Sequence, residues 1–173
     1  KTGLYPLYVT ISLFKHKCLN VDSKKLTEEL MEQIWEQTIE DNIFIVCKTP
    51  MAKTITKRTL IGYKDKKTNI LNVEDVFEQL SNKFEEFSKY LKNPKTWEFN
   101  GGVEMKFDAI IGNPPYQENI SSSEDNSSLG KQLFPTFVSS AIKLNPNYIS
   151  LITPSRWFAG DAQDKSFLKL REF

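Results

Sequence analysis

The sequence predicts an α/β chain built on an open, mostly parallel sheet with helices on both faces. Three observations predict it. Short apolar runs rich in β-branched residues occur at 43–47, 107–111 and 148–152, each of a length that suits a buried strand. Segments with apolar residues at helical spacing separate these runs, and strands that alternate with helices imply parallel pairing. Glycine or proline marks the joins at Pro50, Pro94 and Gly112, where the chain must leave one element and enter another. The three runs are therefore expected as neighbouring central strands.

Taken in order, Leu4, Leu7, Tyr8, Ile11, Phe14 and Cys18 carry a helical period over 4–18, with Pro6 in the first turn, where its missing N–H does no harm. A second helix is predicted over 26–39. Leu26, Leu30, Ile34 and Trp35 form its stripe, and Thr27, Glu28 and Glu29 favour its start. The run ending at Cys47 reads as a strand, and Pro50 opens a helix to about Leu60. Residues 62–72 are polar and read as a loop. Val76, Leu80, Phe84, Phe87 and Leu91 predict one helix over 73–91, ended by Asn93-Pro94. A loop over 95–106 leads into the strand at 107–111. Residues 118–130 are rich in Ser and Asn and read as mobile. A helix over 131–144, a strand over 148–152 and the start of a last helix over 162–173 follow. No internal repeat is evident. The chain opens on Lys1-Thr2-Gly3 with no preceding strand and closes within an amphipathic pattern, so it reads as a segment incomplete at both ends.

Composition narrows the chemistry. The chain has 173 residues, 39% hydrophobic and 26% charged, ordinary values for one globular domain. With one histidine, His16, a histidine metal site or triad is not expected. Cys18 and Cys47 lack metal-ligand spacing and read as buried thiols. A net charge of +1 does not mark the whole chain as a polyanion binder. The basic residues Lys53, Lys57, Arg58, Lys64, Lys66 and Lys67 read first as a solvated face, because acidic residues are nearly as numerous. No apolar stretch has the length of a membrane span and no leader pattern is seen, so a cytoplasmic location without membrane contact is expected.

The most informative stretch follows the strand at 107–111. Ala109-Ile110-Ile111 stops at Gly112, and Asn113-Pro114-Pro115-Tyr116-Gln117 comes next. Two prolines fix two φ angles and remove two N–H donors, and each also restricts the residue before it. The product is a stiff loop displaying an amide and an aromatic ring. It sits at the carboxyl end of a strand, where open α/β sheets bind ligands. A planar, hydrogen-bonding substrate such as a nucleobase suits that loop.

Asn113-Pro114-Pro115-Tyr116 after an apolar strand resembles the catalytic motif of S-adenosylmethionine-dependent amino-methyltransferases. With Gln117 and Ile152-Thr153-Pro154-Ser155-Arg156-Trp157, it is similar to the adenine-N6 DNA methyltransferase module of type II and IIG restriction-modification enzymes, best over 105–160. The resemblance implies a partial Rossmann-like methyltransferase domain over 1–173, with a catalytic loop at 112–117 and no target-recognition domain. It implies S-adenosylmethionine as cofactor. The implied partners are double-stranded DNA and the remaining parts of a parent protein.

Its chemistry is intelligible. An adenine amino group is a weak nucleophile whose lone pair is delocalised into the ring. Acceptors that hold its N–H bonds let the nitrogen become more tetrahedral. The Asn113 amide oxygen and the Pro114 carbonyl are the implied acceptors. Tyr116 would stack on a base turned out of the duplex. Pro115, Gln117, Ser155 and Arg156 fall on the substrate side; Ser155 equally suits a helix cap, and Arg156 suits a phosphate contact or a surface ion pair. On the cofactor side, Gly3 stands as the remnant of a glycine-rich turn. Lys48 stands where the resemblance calls for a ribose-binding carboxylate, a role its ammonium cannot fill. Asp108 is a further cofactor candidate, though a strand-entry hydrogen bond also suits it. Two other readings remain open. One is an amino-methyltransferase acting on protein glutamine or RNA, against which Gln117 and the Thr153–Trp157 string count. The other is a silent module that only binds DNA or a partner.

Overall fold

The computed structural model describes residues 3–97, 104–116 and 133–155. They fall into two compact units, one of residues 1–76 with 94–102 and one of residues 77–93 with 103–173. The predictions for 118–130, for Gln117 and Arg156, and for a helix over 162–173 lie outside the described residues.

The first unit begins with α1, Leu4–Leu19. Gly3 precedes it in the left-handed region at φ 73°, and its carbonyl accepts from the Leu7 amide at 3.1 Å. α2, Glu28–Asn42, is capped by Thr27, whose side chain accepts from the Leu30 amide. Glu28 and Glu29 lie in its first turn, where carboxylates complement the exposed N–H groups. β1, Phe44–Cys47, follows. α3, Pro50–Ile61, starts from a Thr49 cap and a proline at its head, as the sequence predicts. Gly62 at φ 63° ends it.

β2 spans Asn69–Asn72 and pairs in parallel with β1, Phe44 against Asn69 and Cys47 against Asn72. This corrects two expectations. Residues 69–72 are a strand, not loop, and β2 is the strand paired with β1. Asparagine at both ends hides the strand in the sequence. Burial of Asn69 is offset in part by its Nδ2, which donates to the Ile39, Glu40 and Ile43 carbonyls, while its Oδ1 has no partner among the described residues.

The core of this unit joins Ile39, Ile43, Cys47, Leu60, Ile61 and Ile70, with Leu7, Val9, Leu13 and Trp35 packed around it. Trp35 meets Phe14 edge-on at 5.5 Å and donates its indole N–H to the Leu60 carbonyl at 3.1 Å. A 3-10 turn, Pro94–Trp97, adds Trp97, whose ring lies 5.3 Å from that of Phe44.

Gly3 fixes how α1 meets α3. A Cβ there would lie 2.9 Å from the Thr56 Cα, a backbone atom that cannot swing aside. Gly3→Ala is expected to cost about 2 kcal/mol or more, combining the left-handed penalty with that overlap. That corresponds to a melting temperature lower by roughly 5 °C. Thermal unfolding beside Tyr8→Ala, a change at an exposed position, measures it. Equal melting temperatures for Gly3→Ala and the unaltered chain would refute the close approach.

The second unit carries α4, Val76–Asn82, and α5, Phe84–Lys92. The single helix predicted over 73–91 is broken at Lys83, which adopts φ −132° and ψ 33°. Both pieces meet α6, Phe134–Lys143. Phe77 packs on Phe137 at 6.4 Å, and the Lys143 ammonium lies 5.2 Å from the Phe84 ring centre. Each piece has its own contact, so no continuous axis is required. β3, Ala109–Gly112, and β4, Tyr148–Leu151, form a second parallel pair, Ala109 against Tyr148 and Gly112 against Leu151. The described residues thus hold two two-stranded parallel sheets. Parallel α/β pairing is as expected. A hydrogen bond between 43–47 and 107–111 is not among the described pairings.

Candidate functional site

In parallel strands the carboxyl ends lie at one edge. β3 and β4 therefore deliver the chain after Gly112 and the chain after Leu151 to the same place. The ladder extends one bond further, the Ile152 amide donating to the Gly112 carbonyl at 3.0 Å. Asn113 thereby leaves β3 beside the point where Thr153-Pro154-Ser155 leaves β4. The two strings that the sequence marks, on strands offset by 39 residues in register, converge.

Within the loop, Pro114 is buried while Asn113, Pro115 and Tyr116 are exposed, Tyr116 to 41%. The buried proline anchors the loop and leaves the amide and the phenol presented to solvent. The far end is held as well, because the Leu133 amide donates to the Tyr116 carbonyl at 3.1 Å. A constrained loop with an exposed amide and ring can accept hydrogen bonds from, and stack against, a flat polar molecule. Ser155 is exposed in a turn at the same edge.

Asp108 is elsewhere. Its carboxylate accepts from Asn147 Nδ2 at 2.9 Å, and its carbonyl accepts from the Tyr148 amide at 2.9 Å. These bonds pin the amino ends of β3 and β4. Asp108 lies five residues before Asn113, about 16 Å along an extended strand. It serves strand entry, the other role foreseen for it.

In the first unit, Lys48 is exposed directly after the carboxyl end of β1. Gly3 is buried at the head of α1, and its packing on α3 accounts for a glycine there. Asn72, in the stretch whose polarity predicts a loop, ends β2 opposite Cys47. Its Oδ1 is buried with no hydrogen-bond partner among the described residues. A buried acceptor without a donor calls for an explanation, and nothing in the local sequence distinguishes it from an ordinary loop asparagine.

Two basic residues after α3 and one in its last turn are engaged within the protein. Lys64 pairs with Glu32, Lys66 pairs with Glu36 at 2.9 Å, and Arg58 lies over the Tyr63 ring at 4.8 Å. Lys64 and Lys66 thus fasten the loop after α3 to α2, a structural use of their charge. The hydrogen bond and charge of Lys64 lower the Glu32 pKa, and those of Glu36 raise the Lys66 pKa. The Glu32 contribution is present above the ordinary glutamate range and is lost as pH falls through its lowered pKa. The Lys66 contribution is present below the ordinary lysine range and is lost as pH rises through its raised pKa. In a carboxyl-carbon NMR titration, Glu32 is expected to titrate below the ordinary glutamate range and to move back toward it in Lys64→Ala. An unchanged Glu32 in that variant would remove Lys64 as the cause. Among the described residues, no cluster of three or more His, Cys, Asp or Glu is placed to hold a metal, and no helix is long and apolar enough to cross a membrane.

Comparison with known proteins bears on this edge. Residues 41–173 match the family described as Eco57I restriction-modification methylase. A protein of Mycoplasma pneumoniae described as an uncharacterized adenine-specific methylase is 41% identical over 88 residues, which are 51% of this chain. The match spans 18% of that relative's length. No solved structure matches the chain.

Proposed function

Because the chain belongs to the Eco57I restriction-modification methylase family, we propose that it is the catalytic-loop segment of a DNA adenine-N6 methyltransferase. One observation carries the proposal. The Asn113-Pro114-Pro115-Tyr116 loop and the Thr153-Pro154-Ser155 turn leave adjacent parallel strands at one edge. The similarity to an adenine-specific methylase supports adenine as the base.

In this reading the target adenine, turned out of the duplex, lies against Tyr116. The Asn113 Oδ1 and the Pro114 carbonyl accept its two amino hydrogens. That orients the nitrogen lone pair toward the methyl donor and stabilises the nitrogen as it gains positive charge. Base–aromatic stacking supplies about 1–3 kcal/mol, enough to offset part of the cost of extrusion. Pro115 and Ser155 border the base, with Gln117 and Arg156 assigned beside them from the sequence alone. S-adenosylmethionine supplies an activated methyl group when bound. Residues at the carboxyl ends of β1 and β2, Lys48 and Asn72, are the candidates to contact it, and Gly3 contributes by setting the start of α1. Asp108 leaves the cofactor set because its carboxylate is engaged at the far end of β3.

The test incubates the protein with tritiated S-adenosylmethionine and unmethylated genomic DNA, with mass spectrometry of the nucleosides. Label in N6-methyladenine is expected. Label in protein or RNA with none in DNA would replace the substrate assignment. Lys48 at the end of β1, in place of a carboxylate, favours a second reading in which the segment binds DNA without transferring a methyl group. Calorimetric titration separates the two. The ribose contact that Lys48 cannot make is worth about 1 kcal/mol per hydrogen bond, so binding weaker than micromolar but still measurable is expected. No cofactor binding at millimolar concentration would favour the silent reading.

A further inference from the structure

The catalytic loop has two ends, and only one is secured by the sheet. The near end is held by the ladder bond from the Ile152 amide to the Gly112 carbonyl and by burial of Pro114. At the far end, beyond Pro115, the Tyr116 backbone meets neither strand in the hydrogen bonds described. It meets Leu133, whose amide donates to the Tyr116 carbonyl at 3.1 Å. Leu133 is the residue before α6. It is 7% exposed, Phe134 is 1% exposed and Pro135 is buried. The donor therefore sits on one of the most firmly embedded points of its unit, while the Tyr116 side chain it steadies is 41% exposed.

From this we infer that Leu133 is a positioning residue for Tyr116: its backbone N–H fixes where the exposed ring is presented. The effect runs through the main chain. A carbonyl held at 3.1 Å fixes the peptide plane that follows Tyr116 and so limits its ψ angle. Pro115 on the other side already restricts its own φ. With the main chain constrained on both sides, the Cα–Cβ bond of Tyr116 is held in direction, and the ring turns only about its own side-chain bonds. A stacking surface held in place in advance avoids paying an ordering cost when a base arrives. The head of α6 is unusual in what it leaves for this task. Leu133 provides no side-chain cap, and Pro135 has no N–H. The Leu133 amide is thus turned outward to the loop while its own carbonyl accepts from Thr136 at 3.1 Å.

The assignment rests on the reading of Tyr116 as the base-stacking ring, and its test is built to separate the two. Leu133→Pro deletes the donor and keeps an apolar side chain, while Leu133→Met keeps the donor and changes only the side chain. The full chain is labelled with 3-fluorotyrosine, and the Tyr116 fluorine resonance is assigned with Tyr116→Phe. In the unaltered protein and in Leu133→Met one narrow Tyr116 line is expected. In Leu133→Pro the line should broaden or move toward the position of free fluorotyrosine. If Leu133→Pro lacks the far-UV circular dichroism of the parent, a backbone ester at residue 133 replaces it, since the ester removes the N–H alone. An unchanged line on loss of the donor, or an equal change in Leu133→Met, overturns the assignment. In parallel, duplex DNA with 2-aminopurine at target adenines reports base extrusion. The extrusion signal is expected to need about fivefold more DNA in Leu133→Pro, the scale of one lost hydrogen bond, with S-adenosylmethionine affinity unchanged. An extrusion signal absent from the unaltered protein would sink the base-stacking role of Tyr116, while the fluorine line still decides whether Leu133 holds it.

Discussion

Asn113→Ala is expected to lower methyl transfer by a factor of about 100 to 1000, the range seen when one preorganised polar group is removed from a developing charge. The amide is the only side-chain acceptor between Gly112 and Tyr116. It is exposed at the end of β3 and not consumed in the core. Alanine keeps the backbone between Gly112 and Pro114 and removes the acceptor. DNA binding should change little, because phosphate contacts dominate it and Asn113 carries no charge. The change should therefore fall on kcat and leave the KM for DNA nearly as it was. Asn113→Asp separates geometry from charge, since it keeps an acceptor in the same place but adds a negative charge beside the base. Single-turnover assays with tritiated cofactor measure both. Asn113→Ala with the parent's rate would end the proposed mechanism, whatever the family.

Phe134→Ala is expected to destabilise the protein by about 3–5 kcal/mol, the usual loss when a buried phenylalanine leaves a cavity. Phe134 is 1% exposed, the largest fully buried side chain described. With net stabilities of about 5–15 kcal/mol, this is roughly a fifth or more of what holds a typical domain together. Phe134→Leu keeps much of the volume and should cost about 1.5 kcal/mol or less. Urea midpoints of the two variants at one temperature give the comparison. Equal midpoints for Phe134→Ala and the parent would mean that the head of α6 is not the anchor it is taken to be. The two experiments are complementary, since Asn113→Ala should spare stability and Phe134→Ala should reduce both stability and activity.

Local signals carried much of the fold. β1, β3 and β4 are apolar runs with few polar interruptions, and Thr27, Pro50 and Pro94 act within a turn of where they stand, so those elements are visible in the linear chain. β2 is not, because what makes Asn69 tolerable in a strand is a set of carbonyls 26 to 30 residues away. The break at Lys83 is equally invisible. The apolar spacing runs through it unchanged, and the contacts that accompany it come from α6, more than fifty residues later in the chain. The convergence of Asn113 with Thr153-Pro154-Ser155 was legible, because both follow strands and parallel strands end together. The strand-entry role of Asp108 was legible too, but its partner was not, since Asn147 lies 39 residues on. Gly3 illustrates the reverse. A glycine at the head of a helix suggests a cofactor turn, but contact with Thr56 and a left-handed backbone already require it.

The hydrogen bond between Leu133 and Tyr116 also bears on how this protein tolerates changes in length. It brings the two ends of the segment 117–132 together, so their separation does not depend on how many residues run between them. Once ends are joined, extra residues are inexpensive. A tag or a small folded domain spliced into 117–132 should therefore leave Asn113 and β3 where they are, whereas a single residue added between Gly112 and Tyr116 should displace the amide from its edge. The Tyr116–Leu133 bond thus closes off the stretch whose length is fixed by chemistry, and the boundary falls at one backbone carbonyl.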